Sequence, residues 1–216
     1  MSLYKKNLRE TKINHITPAD TLYTTIVYNI RNRFFDLDPN FAKTANIFLD
    51  MILERDKHKT IGLIGYISTQ SFSQNLQKQI PTDLFVSLGV ANFFGWMAYT
   101  IYDDFFDQES QIQYLPLANL CLREVTKIYE NILPKTTGFC EFFHAIIDTL
   151  DTENLLEVTK KRAKKDNQSL VLPHLTGSFT FEKTANKSLG HALGPLCVLF
   201  FLGYNEKSPE VLFLKS

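Results

Sequence analysis

The chain has 216 residues, a length that suits one domain and allows a sizeable buried core. Its 23 basic and 23 acidic residues cancel, so no overall charge recruits nucleic acid or an anionic membrane surface. The three cysteines are scattered and show no CxxC spacing, as expected of small buried side chains in a reducing compartment. The first ten residues lack the apolar core of a secretory signal, and we therefore expect a cytoplasmic protein.

Helix-start signals recur along the chain and predict an all-α fold. Most of them place a capping or acidic residue beside a proline in the first helical turn, where its missing N–H costs nothing. The signals are Thr17-Pro18, Asp38-Pro39, Pro81-Thr82-Asp83 and Ser208-Pro209-Glu210. With the apolar periodicity, they predict helices over residues 18–35, 39–56, 112–132, 137–164 and 179–204, and a long helix that begins at Pro81-Thr82-Asp83 and ends at the aspartates of residues 103–107.

The next observations concern one ambiguous segment and the extent of the domain. Residues 60–78 are ambiguous, because their β-branched start also suits a strand. No repeat or linker divides the chain, so we predict one domain over residues 1–216, with residues 1–15 flexible. The last helix-start signal leaves only six residues after Glu210, too few for a stable isolated helix. We therefore expect the N-terminal part of a longer domain or, alternatively, a last turn that docks on a partner.

Two stretches, residues 84–102 and 188–204, approach the length of a membrane span. Both contain polar residues and glycine, and the second also contains a proline. The other predicted helices are amphipathic and offer surfaces against which such segments can be buried. We therefore predict central helices of a bundle and no transmembrane segment.

An acidic cluster ends the first of these stretches. Residues 84–102 carry no charge, and then Asp103, Asp104 and Asp107 follow within five positions. On a helix these carboxylates can share a face, and crowding them beside apolar residues is unfavourable unless cations lie between them. The pattern indicates a hard metal ion above a hydrophobic pocket. The alternative is a solvated helix end.

The run Asp103-Asp104-Phe105-Phe106-Asp107 resembles the DDxxD motif of class I isoprenoid synthases, which include trans-polyprenyl diphosphate synthases and terpene cyclases. The resemblance implies a helical bundle around a deep apolar cavity, with Mg²⁺ held by the three aspartates. It further implies a prenyltransferase that ionises an allylic prenyl diphosphate and condenses it with isopentenyl diphosphate. A homodimer is also what the resemblance suggests.

Two aromatic residues precede the motif at helical spacing. Tyr99 lies one turn and Trp96 two turns before Asp103 on the same helix face. In the resemblance, they line the hydrocarbon pocket below the diphosphate, where aromatic faces stabilise a carbocation. A bulky Tyr99 near the metal would limit the pocket depth and predicts a short isoprenoid chain. The alternative is that both residues are ordinary core residues.

A second resemblance covers residues 181–203. Prenyl synthases carry a Lys-Thr pair on a late helix, where the lysine contacts diphosphate, and Lys183-Thr184 matches it literally. Lys187 is a rival candidate because it borders the apolar run. For either lysine, the alternative is a side chain that extends from a buried helix to solvent.

The chain also departs from the family pattern. It lacks the glycine-lysine-arginine stretch that binds isopentenyl diphosphate, the arginine pair after the first motif and the second aspartate-rich motif. The acid–Thr–Glu arrangement of cyclases fails as well, because Leu156 occupies the position of the glutamate. The alternatives to an elongating transferase are therefore a terpene cyclase-like lyase and an inactive homologue or regulatory subunit.

Overall fold

The computed structural model describes residues 17–107, 111–156, 164–166, 169–171 and 188–215. The segment predicted to be flexible, residues 1–15, lies outside this part. The helices in chain order are α1 (Pro18–Phe35), α2 (Pro39–Arg55), α3 (Thr60–Ser68), α4 (Gln74–Gln77), α5 (Thr82–Phe106), α6 (Leu115–Asn131), α7 (Phe139–Leu156), α8 (Leu189–Phe201) and α9 (Pro209–Lys215). The all-α prediction is confirmed for this helical body.

The predicted helix-start signals lie at the observed N-terminal ends of helices. The Thr17 hydroxyl accepts a hydrogen bond from the Asp20 N–H at 3.2 Å, and the Asp20 carboxylate accepts one from the Thr17 N–H at 3.0 Å. This reciprocal pair is a capping box, which satisfies N–H groups that have no partner within the helix. Asp38 caps α2 by accepting from the N–H groups of Asn40 and Phe41. Local capping chemistry therefore fixes where the first two helices begin.

Residues 60–78 are helical in α3 and α4, so the alternative of a strand is wrong. The reason is tertiary, since α3 packs closely against α5. Glycines make this approach possible, because a Cβ atom at Gly62 would lie 2.7 Å from the Phe93 ring. Packing at this interface overrides the β-propensity of the isoleucines and threonine.

Two short paired strands lie outside the helical body. Strand β1 (Lys164–Asp166) pairs antiparallel with β2 (Ser169–Val171). The helix predicted over residues 137–164 is therefore wrong at Lys164, and its described helical part ends at Leu156. Residues 160–165 are mostly charged and show no apolar periodicity that would distinguish a helix from a strand.

Helix α5 forms the centre of the described bundle. It packs against α1, α3, α6 and α8, and its apolar side chains join one hydrophobic core cluster with theirs. In the described part of the chain, α5 alone is long and apolar enough to span a bilayer. More than half of its most apolar window is buried by the other helices, as is common for a central helix.

A buried carboxylate connects α1, α2 and α3. Asp56, at the C-terminal end of α2, is 8% exposed and accepts a hydrogen bond from the Tyr23 hydroxyl at 3.1 Å. Its oxygens also accept from the Ile61 N–H in the first turn of α3, at 3.2 Å. Burial, followed by the neighbouring Asp56 charge, raises the pKa of Tyr23. Asp56 thus satisfies a helix end and orients a side chain of another helix.

We expect Asp56→Ala to lower the free energy of unfolding by about 2 kcal/mol, because the buried Ile61 N–H and the half-buried Tyr23 hydroxyl lose their acceptor. Urea unfolding followed by circular dichroism measures this loss. Asp50→Ala is the control, since the Asp50 carboxylate pairs with Arg31 at the exposed surface, where ion pairs contribute under about 1 kcal/mol. Equal losses for the two variants would contradict the structural role of Asp56.

Candidate functional site

A pocket of about 260 Å³ lies between α5, α6, α7 and α8. Most of its wall is apolar, and polar side chains are interspersed at several points. From α5 it is lined by Ala91, Asn92, Gly95, Trp96, Tyr99, Thr100 and Asp103, and from the other helices by Leu122, Val125, Tyr129, Ile147, Leu150, Asn154, Gly190, His191 and Leu193. The sequence-predicted residues Trp96, Tyr99 and Asp103 therefore meet at one pocket.

The pocket is elongated along α5. Its lining on this helix begins at Ala91 and ends at Asp103, and twelve residues of helix correspond to about 18 Å. Asp103 marks one end of the wall, and Ala91 marks the other. The lining continues on α5 about two turns beyond Tyr99, which is therefore part of the wall. That Tyr99 limits the pocket depth stays a prediction.

The three aspartates occupy different positions. Asp103 lines the pocket, whereas Asp104 and Asp107 lie outside its lining. Asp103 and Asp107 are exposed, and Asp104 is half-buried. Asp107 ends α5, where its N–H donates to the Asp103 carbonyl at 2.9 Å. The pocket therefore has one of the three predicted carboxylates directly at its end.

The carboxylates can be compared with what Mg²⁺ requires. Among the described residues, no three His, Cys, Asp or Glu side chains converge on a metal-sized site. Mg²⁺ bound with a phosphate ligand, however, takes only one or two carboxylates, with phosphate oxygens and water as the remaining ligands. Asp103 and Asp107 lie one turn apart and suit that arrangement. The described acids therefore do not form a complete protein cage, and Mg²⁺ bound to the three aspartates stays a prediction.

A second acidic region on α7 faces the same part of α5. Burial, followed by the charge of Asp151, raises the pKa of Tyr99 to about 12. The same two causes raise the pKa of Tyr102. The pKa of Asp151 is itself raised by burial and by the neighbouring Asp148. The Asp151 carboxylate of α7 thus lies near both tyrosines of α5.

An aromatic pair forms the wall farther from the aspartates. The ring centres of Trp96 and His191 lie 5.1 Å apart, with the ring planes at 42°. Trp96 retains 37% of its surface exposed. His191 is exposed at the edge of the pocket, and the partial burial of its ring lowers the pKa of the imidazole, which favours the neutral form at pH 7. The pocket therefore contains a neutral base in contact with the only tryptophan of the chain.

Sequence reasoning did not single out Asp151, Asn154 or His191 for this site. Asp151 and Asn154 lie three residues apart on α7, a spacing that places them on one helix face. His191 has no other histidine at ligand spacing, and its neighbour Trp96 is distant in sequence. The predicted substrate-binding residues Lys183 and Lys187 lie outside the described residues.

The chain was compared with models of known protein families, with curated proteins and with solved structures, and no match was found in any of the three comparisons. The resemblance to isoprenoid synthases therefore rests on the motif residues themselves.

Trp96 provides a direct optical signal from the pocket, because the chain contains one tryptophan. A protonated imidazole in contact with indole quenches its fluorescence. We expect Trp96 emission to decrease as the pH falls below 6.5, the usual histidine pKa, because burial lowers the pKa of His191. A fluorescence titration from pH 8 to pH 4 measures the midpoint. His191→Gln should remove this transition, and its persistence in that variant would contradict the assignment.

Proposed function

We propose that the protein is a class I isoprenoid synthase-like enzyme that binds an allylic prenyl diphosphate and ionises it with Mg²⁺. The observation that carries this proposal is the continuous wall of α5, which leads from apolar residues to Asp103 at the end of the pocket. An amphiphilic ligand with an apolar chain and an anionic head matches this distribution. The hydrocarbon would lie along α5, with the diphosphate beside Asp103.

The wall supplies the binding energy for a hydrocarbon chain. Leu122, Val125, Ile147, Leu150 and Leu193 present aliphatic surface from three helices. Burial of apolar area contributes roughly 25 cal/mol per Å². The rings of Trp96 and Tyr99 add π-faces that attract a cation within about 6 Å. The pocket volume is slightly below the ~300–1,000 Å³ typical of ligand sites and favours a short isoprenoid chain.

The acidic end would hold the diphosphate through a cation. Asp103 and Asp107 would be the Mg²⁺ ligands, and Asp104 is the third residue of the motif. When bound, Mg²⁺ neutralises the departing diphosphate and so favours cleavage of the allylic C–O bond. Without a cation, the acids would repel a diphosphate. Binding of the head group should therefore require the metal.

The proposed reaction also requires an acceptor for the carbocation. In a prenyltransferase the acceptor is isopentenyl diphosphate, and in a cyclase-like lyase it is a double bond of the same substrate. Lys183 and Lys187 remain predicted contacts of the diphosphate, and a cytoplasmic homodimer remains the predicted assembly. An inactive homologue or regulatory subunit would retain the fold and release no diphosphate.

A diphosphate-release assay tests the proposed function. The protein is incubated with dimethylallyl, geranyl or farnesyl diphosphate, with and without isopentenyl diphosphate, and the organic products are extracted and identified. We expect Mg²⁺-dependent release that EDTA abolishes, because the acidic end needs a cation to accept diphosphate. The absence of release with every substrate would contradict an enzymatic role.

A further inference from the structure

The reaction proposed above has a chemical requirement beyond ionisation. When the allylic C–O bond breaks, its electron pair leaves with the diphosphate, and an alkene then attacks the carbocation to form a C–C bond. This attack moves the positive charge to another carbon. The reaction ends in an alkene only if a base removes a proton from a neighbouring carbon, whose C–H electrons become the new double bond.

The described lining of the pocket offers few bases for that proton. Asp103 would be engaged with the cation at the diphosphate end. Tyr99 and Tyr129 are poor proton acceptors while their hydroxyls are protonated. Burial raises the pKa of both side chains and so favours the protonated form. The described lining residues of α7 do not titrate, since they are Ile147, Leu150 and Asn154. The remaining basic group in this lining is the imidazole of His191.

His191 is placed to accept a proton from the hydrocarbon. It lines the same pocket as the apolar wall, and its ring packs against Trp96, whose π-face would attract the cation. Among the described residues, the His191 side chain makes a ring contact with Trp96 and no hydrogen bond or ion pair. The partial burial of the ring lowers the pKa of His191 and so favours the neutral imidazole, in which one nitrogen carries a lone pair.

The position of His191 also separates it from the diphosphate. Trp96 precedes Asp103 by seven residues on α5, which corresponds to about 10 Å along the helix axis. A diphosphate held at Asp103 would lie at the opposite part of the wall from the Trp96–His191 pair. A proton lost near Trp96 is therefore closer to the imidazole than to the departing anion.

We propose that His191 is the proton acceptor that ends the carbocation reaction in this pocket. The imidazole nitrogen takes the proton from a carbon adjacent to the cation, the C–H electron pair forms a C=C bond, and the imidazolium later returns the proton to solvent. This inference rests on the proposed function, because it requires ionisation of an allylic diphosphate. According to this inference, proton transfer to His191 makes the reaction end in an alkene and not in an alcohol.

The test compares products formed per diphosphate released. His191→Gln retains a polar planar side chain but removes the base, so we expect the ratio of alkene to alcohol product to fall at least about tenfold. Water then captures the cation that the imidazole no longer deprotonates. His144→Gln is the matched control, because His144 lies at the surface of α7 and pairs with Glu130 at 3.2 Å. This control should keep the wild-type product ratio.

The outcomes separate the two proposals. Diphosphate release with an unchanged product ratio in His191→Gln would overturn the role of His191 and leave the proposed function intact. No release by the wild-type protein would overturn both. The pH dependence of the product ratio provides a second measurement: the wild-type ratio of alkene to alcohol should fall as the imidazole becomes protonated, whereas the ratio for His191→Gln should not change. A wild-type ratio that does not change between pH 8 and pH 5 would contradict proton transfer.

Discussion

Gly89→Ala is expected to lower the free energy of unfolding by about 3 kcal/mol, although alanine is the better helix former. A Cβ atom at position 89 would lie 2.3 Å from Ile26 Cδ1 and 2.6 Å from the carbonyl oxygen of Gly62. The first neighbour is a fully buried side chain, and the second is backbone, so neither can give way cheaply. The gain of up to ~1 kcal/mol in helix propensity is smaller than the cost of separating α5 from α1 and α3.

Urea unfolding of both variants measures the effect, with Gly95→Ala as the matched control. Gly95 lies on the same helix, but a Cβ atom there would meet only Val125, at an ordinary 3.9 Å. We expect this control to be neutral or to gain up to ~1 kcal/mol. A stabilised Gly89→Ala variant would show that α5 does not pack as closely on α3 as the structure describes.

Asp103→Asn is expected to weaken Mg²⁺-dependent binding of an allylic diphosphate analogue at least about thirtyfold, or about 2 kcal/mol. The substitution keeps the size of the side chain and removes the charge that would attract the cation. Asp103 ends the pocket wall, whereas Asp104 and Asp107 lie outside the lining. Its loss should therefore affect the bound diphosphate more than the same change at Asp104.

A fluorescence titration of Trp96 measures this binding, because the chain's one tryptophan lies in the pocket lining. Asp83→Asn is the control, since Asp83 lies in the first turn of the same helix, away from the pocket. We expect its affinity to remain within about threefold of wild type, as for a surface charge distant from the ligand. Equal affinities of wild type and Asp103→Asn would remove this carboxylate from the site.

The beginnings of the helices could be predicted because capping is local. The Thr17 and Asp38 caps depend on residues within three positions, and both predicted starts are confirmed. The state of residues 60–78 could not be predicted in the same way. Their helical state depends on contact with α5, which is remote in sequence. The strand at Lys164 likewise depends on pairing with Val171, which no periodicity in residues 160–165 reveals.

The residues of the site fall into the same two groups, those placed by local sequence and those placed by tertiary packing. Trp96, Tyr99 and Asp103 share one helix face by spacing alone, and they meet in one pocket. The approach of Asp151 to Tyr99 and of His191 to Trp96 depends on how α7 and α8 pack. The sequence pattern therefore predicted the residues of the α5 wall of the pocket. The residues of the opposite wall could be identified only from the three-dimensional structure.

Isothermal titration of a non-ionisable allylic thiolodiphosphate into the wild-type protein tests the central claim most directly. We expect saturable binding at one site with Mg²⁺ and a loss of at least about tenfold in affinity with EDTA, because the acidic end requires a cation to accept the head group. No binding under either condition, or equal binding with and without Mg²⁺, would contradict the account of the pocket as a metal-dependent diphosphate site.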